Sequence, residues 1–157
     1  MRDRVFLRSL MLAIVMVLFV AACSSDEPAA GPVTFENEVD FSFRPVAGTF
    51  EVTEGADVLG CSSGTFVDSG SPDDGIERVY TCDSGSNEGS FTASFNFEPN
   101  PDTTGDNGTW TVVEGSDDFV GLQGSGDWSI VYPTPDERIS LSGVGAGTWT
   151  GDINYTS

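Results

Sequence analysis

The chain contains no histidine and no lysine in 157 residues, and each absence removes chemistry. Without histidine there is no Ser-His-Asp or Cys-His arrangement and no imidazole metal ligand. Without lysine there is no Schiff-base nucleophile. The glycine-rich stretch at residues 143–147 also lacks the lysine and following helix of a phosphate-binding loop. Cations of any kind are scarce: six arginines stand against 25 acids, a formal net charge of −19. Such a charge repels nucleic acid and anionic lipid faces, so no nucleic-acid partner is expected. A hydrated carboxylate coat suits a high-salt habitat, and the lack of lysine suits a GC-rich genome equally well. Helical periodicity is missing too. Glycine, proline and aspartate clusters interrupt every candidate beyond residue 32 except residues 116–122, which fit one turn with Ser116 as its cap.

What is present begins with a targeting pattern. Arg2, Arg4 and Arg8 precede an apolar run over residues 10–22, too short to span a bilayer comfortably and typical of a signal sequence. The run ends in Val20-Ala21-Ala22-Cys23, which resembles the lipobox of bacterial lipoproteins. The resemblance implies cleavage before Cys23, lipidation of its sulfur, and an extracytoplasmic domain held to the membrane by acyl chains, two or three of which anchor stably. Removal of residues 1–22 leaves 135 residues, one domain's worth, with three arginines (Arg44, Arg78, Arg138) against 24 acids, a net charge of −21. Residues 23–32 are small, polar and proline-containing, a disordered tether that would hold the domain roughly 15–20 Å from the membrane. With Cys23 assigned to lipid, Cys61 and Cys82 remain. In an oxidising compartment they are expected to form a disulfide; a metal pair lacks a third cysteine or a histidine.

From residue 33 onward the period of the pattern is two. Val39, Phe41 and Phe43 alternate with polar residues, as do Phe91, Ala93, Phe95 and Phe97, and Trp128, Ile130 and Tyr132. Each run reads as a half-buried antiparallel strand. A glycine, a small or polar residue and an aromatic recur six times, at Gly48-Thr-Phe50, Gly64-Thr-Phe66, Gly89-Ser-Phe91, Gly108-Thr-Trp110, Gly126-Asp-Trp128 and Gly147-Thr-Trp149. Each is taken as a strand entry in which the glycine adopts a turn or bulge conformation and the ring enters the core. About eight strands follow, near 39–45, 47–53, 64–68, 76–82, 89–98, 108–114, 124–132 and 144–153, with residues 100–108 as a long hairpin loop. The fold class expected is all-β: an antiparallel, roughly eight-stranded barrel over residues 33–157, with a β-sandwich as the alternative.

Residues 108–128 read Gly-Thr-Trp-Thr-Val-Val-Glu-Gly-Ser-Asp-Asp-Phe-Val-Gly-Leu-Gln-Gly-Ser-Gly-Asp-Trp, and Gly-Thr-Trp-Thr-Gly-Asp follows at 147–152. This segment resembles the strand–turn–strand signature of allene-oxide-cyclase-like and dirigent-like barrels, with Phe119, Gly121, Leu122 and Gly124 in the matching places. The resemblance implies an eight-stranded antiparallel barrel. It carries no catalytic residue onto this chain, and fold analogy alone licenses no activity.

The chemistry left open is sparse. Glu114, Asp117 and Asp118 share a turn where split carboxyl pKa values would support a small isomerase or hydrolase, although solvated turn acids are the plainer reading. Asp73, Asp74 and Glu77, and Asp102 with Asp106, cluster oxygen ligands beside glycines as calcium requires. Neither group has EF-hand spacing, and calcium-assisted adhesion is the function they would imply. Arg78 shares a strand face with Ile76, Tyr80 and Cys82, and is either an inward charge or a marker that this face is the wet one. Inward aromatic rings would fill a core or line a cavity for a small apolar ligand. The leading expectation is a non-enzymatic lipoprotein whose partners are the membrane, through Cys23, and a small apolar ligand or an envelope protein.

Overall fold

The computed structural model describes residues 29–71, 75–98, 100 and 104–156. Residues 1–22, read as a signal segment, and Cys23 lie outside them. So do Asp73, Asp74 and Asp102.

Among the described residues, eight antiparallel strands form a closed barrel in simple meander order: β1 (Ala30–Asp40), β2 (Ala47–Glu54), β3 (Cys61–Ser71), β4 (Gly75–Gly85), β5 (Ser90–Glu98), β6 (Gly105–Gly115), β7 (Leu122–Val131) and β8 (Val144–Tyr155). Eleven residue pairs of β1 and β8, from Ala30 with Asn154 to Asp40 with Val144, close the wall, so no edge is left to recruit another chain. Cys61 and Cys82 form the expected disulfide between neighbouring β3 and β4, with Cα atoms 5.9 Å apart.

The period-two pattern places the strands well, but the first one differs from expectation. It runs from Ala30 to Asp40 and not over 39–45. Its inward positions are Val33, Phe35, Asn37 and Val39, all buried, and the asparagine breaks the apolar rhythm that marks the other strands. Residues 41–45, expected as strand, form the turn into β2. There Phe43 is 57% exposed, and the Arg44 guanidinium donates to the carbonyls of Phe41 and Phe43. Residues 30–32, at the end of the segment read as tether, pair with residues 152–154 of β8. The loop expected through Gly108 is strand from Gly105 onward.

Two short helices escaped the pattern. The first, α1 (Ala56–Leu59), lies between two glycines in the left-handed conformation, Gly55 and Gly60. The second, α2 (Pro135–Ser140), follows a capping box: the Thr134 hydroxyl accepts from the Glu137 amide and donates to its carboxylate. The turn expected near 116–122 is a 3-10 turn over Asp117–Phe119, and Ser116 does not cap it with its side chain. Its hydroxyl is engaged with Ser90.

All six aromatics of the glycine repeat are buried: Phe50, Phe66, Phe91, Trp110, Trp128 and Trp149. The glycines, however, act differently from the expectation. Of the six, Gly89 alone has a positive φ. The others sit two residues before their ring, hence on the same inward face, and their missing side chains leave room. A Cβ on Gly48 would lie 2.5 Å from the Phe66 ring, and one on Gly64 2.7 Å from the Phe50 ring. An eight-stranded barrel is only just wide enough for its inward side chains. Large rings on one strand therefore require glycine on the next.

The two ends of the barrel are unlike. The end that holds α1, the β4–β5 and β6–β7 turns and both strand termini is plugged by Leu59 and Phe119, each fully buried. Tyr155 and Asn87 donate to the Leu59 carbonyl there. A stack of rings fills the middle, with Phe35 against Phe50, Tyr80, Phe91 and Trp110. Burial of each such ring contributes about 1.5–3 kcal/mol. At the opposite end, where β1, β3, β5 and β7 finish, the described residues leave an opening.

Candidate functional site

At the open end two hollows run into one another. The inner one, about 50 Å3, is lined by Arg78, Phe95, Trp128, Ile130 and Trp149 among others. The outer one, about 480 Å3, is bordered by Arg44, Val46, Asp106 and Leu141. Phe41, Asp68, Ile76, Phe97 and Tyr132 line both. These residues occupy the inward alternate positions of their strands and turns, with Phe97, 41% exposed, at the rim.

Arg78 resolves the question its sequence left open. It points into the barrel, 95% buried, directly across from Asp68 on β3. Its Nε and Nη2 donate to the two Asp68 oxygens at 2.6 and 2.9 Å, a bidentate ion pair. The guanidinium also lies over the Phe66 ring, 3.7 Å from its centroid, with Phe95 and Trp149 at 5.3 and 5.1 Å. Burial opposes the Arg78 charge, but the Tyr80 oxygen and the Asp68 carboxylate outweigh it and raise the pKa. Arg78 is thus charged throughout the accessible range.

A second cluster stands at the rim. The Asp106 carboxylate accepts from Arg138 on α2 at 2.6 Å and from the Tyr132 hydroxyl at 3.1 Å. This pair ties α2 to β6 and holds the β7–β8 connection beside the opening. Burial, together with the facing Asp106 charge, raises the Tyr132 pKa. The third cation, Arg44, donates to the Leu141 carbonyl as well as to its own turn. All three arginines of the described residues therefore gather at one end of a chain that is otherwise strongly acidic.

The buried Tyr80 hydroxyl beneath Arg78 makes no hydrogen bond of normal geometry. Burial pushes its pKa up to about 12, against the opposing pull of the Arg78 charge. A raised phenol pKa means that the folded state favours the neutral form. The contribution is complete below pH 10, the ordinary value, and is lost as pH climbs through 12. Urea midpoints measured from pH 8 to 12 are expected to fall above pH 10, with Tyr80 accounting for on the order of 3 kcal/mol of stability. Tyr80→Phe is expected to reduce the slope, leaving the part that the raised pKa values of Tyr132 and Tyr155 contribute.

The carboxylates singled out in the sequence are placed elsewhere. Glu114, Asp117 and Asp118 are exposed at the plugged end, across the barrel from the opening. Asp118 accepts from the Glu88 amide and Asp117 from the Ser116 hydroxyl, which binds both into the turn structure. Of the calcium candidates, Glu77 is exposed on the outer face of β4, whereas Asp106 is ion-paired inside the rim, so the two are not brought together. No group of three or more acidic or cysteine side chains arranged to hold a metal occurs among the described residues. A wide surface groove of about 730 Å3 crosses β1 and β2 beside Glu36, Glu38 and Glu51. It is broad and solvent-open, and Glu36 faces Glu51 across the strands, so it offers a partner neither an apolar wall nor a compensated charge.

Comparison of the chain with family models, with curated proteins and with solved structures found no match. The eight-stranded antiparallel barrel expected from residues 108–151 is present.

Proposed function

We propose that this chain is an extracytoplasmic lipoprotein, anchored through Cys23, whose barrel binds a small apolar ligand through its open end and does not transform it. The observation that carries the reading is the aromatic hollow with the Arg78–Asp68 pair in its wall. Ligand sites are concave, mostly apolar and furnished with a few placed polar groups, and occupy about 300–1,000 Å3; the outer hollow, about 480 Å3, falls in that range. Among the described residues, the two carboxylates that border the hollows, Asp68 and Asp106, are held by arginines, which suits them to structure and not to carrying protons.

The direction of the barrel adds to this. The chain enters β1 at the plugged end, where Tyr155 donates to the carbonyl of Ala29. An anchor ahead of that point leaves the opening facing away from the bilayer, toward solutes or an envelope partner.

The test is thermal. Full chain melted with a panel of compact aromatic compounds should gain about 2.7 kcal/mol at a ligand concentration 100 times the dissociation constant. Ile76→Trp, which fills the hollow, should abolish the gain. A flat melting temperature across the panel would leave the barrel as an envelope component without a ligand.

A further inference from the structure

We infer that the open end takes a compact, neutral, apolar molecule bearing a carbonyl group, seated with its oxygen against Nη1 of Arg78 and Nε1 of Trp149. The inference rests on the ligand-binding reading above and narrows it to a chemical class.

Two side chains that line the inner hollow, Arg78 and Trp149, each carry a buried N–H without an acceptor. Arg78 spends Nε and Nη2 on Asp68, while its Nη1 is buried and without a partner. The Trp149 indole N–H is likewise buried and unmatched, and its ring lies 5.1 Å from the Arg78 guanidinium carbon. The other two tryptophans show that the fold satisfies such groups where it can: Trp110 donates to the Thr150 carbonyl and Trp128 to that of Asn96, both at 3.1 Å. Buried N–H groups nearly always find an acceptor, so two left open at one hollow mark where a ligand oxygen belongs.

The remaining polar atoms there decide the class. The Asp68 oxygens are taken by Arg78, and the Tyr132 hydroxyl is taken by Asp106. Among the described residues that line the hollow the side-chain acceptors are engaged, and the open Tyr80 hydroxyl beneath Arg78 can donate as well as accept. Donors therefore predominate, which favours a carbonyl over a hydroxyl whose own hydrogen has Tyr80 alone to meet it. Neutrality follows from charge. Arg78 and Arg138 are each compensated by an aspartate, so a carboxylate would bring an uncompensated charge into a chain of net charge −19. The inner hollow, about 50 Å3, accommodates the head group, and the apolar body rests among Phe41, Ile76 and Phe97 where the two hollows join.

Titration of the full chain with acetophenone, 1-phenylethanol, ethylbenzene and benzoate, followed by tryptophan fluorescence, separates the possibilities. Acetophenone is expected to bind about tenfold more tightly than ethylbenzene, the ratio one or two well-made hydrogen bonds produce, and more tightly than the alcohol or the anion. Trp149→Phe, which keeps a ring and removes the N–H, should narrow that ratio severalfold. Equal binding of acetophenone and ethylbenzene would assign the two N–H groups to a bound water and overturn the carbonyl class, leaving the ligand site intact. Preference for benzoate would overturn neutrality. Binding of none of the four would remove both this inference and the ligand-binding reading.

Discussion

Substitution of Arg78 by methionine is expected to lower the stability of the chain by about 3–5 kcal/mol, among the largest single-residue effects the fold offers. Removing the guanidinium leaves the Asp68 carboxylate, 11% exposed, without its bidentate partner and strips the cation from the face of Phe66. An unpaired charge in a low-dielectric barrel costs far more than the pair contributes. The companion Arg78→Met with Asp68→Leu removes both charges and should recover most of the loss, because buried ion pairs are often replaceable by apolar side chains of similar volume. Urea unfolding of the three proteins measures the difference. A single substitution costing under about 1 kcal/mol would mean that water reaches Asp68 and that the hollow is wetter than described.

Removal of the disulfide is the second large effect. The bridge spans 21 positions along the chain, and constraint of a loop that size in the unfolded state is worth about 3 kcal/mol. Cys61→Ala with Cys82→Ala should therefore lower stability by about that amount while the barrel still closes through β1 and β8. Cys61 is fully buried, so alanine is the proper replacement and serine would add a buried hydroxyl. A reductant should reproduce the loss in the native protein and have no effect on the double variant.

The wall of this barrel was legible because its signal is local. Alternation in β5 and β7, the six glycine–x–aromatic units and two spare cysteines each report on a few adjacent residues, and together they imply eight strands, closure and one bridge. Where a strand's inward face carries a polar residue, the signal fails: Asn37 sits buried in the middle of β1, and the pattern jumps to the more rhythmic Val39, Phe41 and Phe43. The helix α2 carried its capping box, Thr134-Pro135-Asp136-Glu137, in plain view, but at six residues it had no periodicity to confirm it.

The site was less legible for a geometric reason. The residues of its inner hollow come from five strands and from the connections beside them, from Phe41 to Trp149, and their alternation marks strands without marking a site. The carboxylates that did stand out, Glu114, Asp117 and Asp118, drew notice by adjacency in sequence, and adjacency on a hairpin turn places side chains at the surface. Arg78 was the informative residue: a lone cation on an otherwise apolar strand face, whose partner Asp68 could be found only once the β3–β4 register was known. The repeat glycines differ from expectation for a physical reason. Their role is lost volume inside a narrow barrel, which depends on what stands on the neighbouring strand.

The open end as a ligand site is tested most directly by mapping backbone amide shifts of the full chain as acetophenone is added. The changes are expected to gather on Phe41, Arg44, Val46, residues 68–70, Ile76, Phe97, Asp106, Tyr132 and Leu141, the lining of the outer hollow, and on Arg78 and Trp149 within it. Changes centred on Leu59 and residues 114–119 at the plugged end, or none at saturating acetophenone, would contradict a ligand site at the open end.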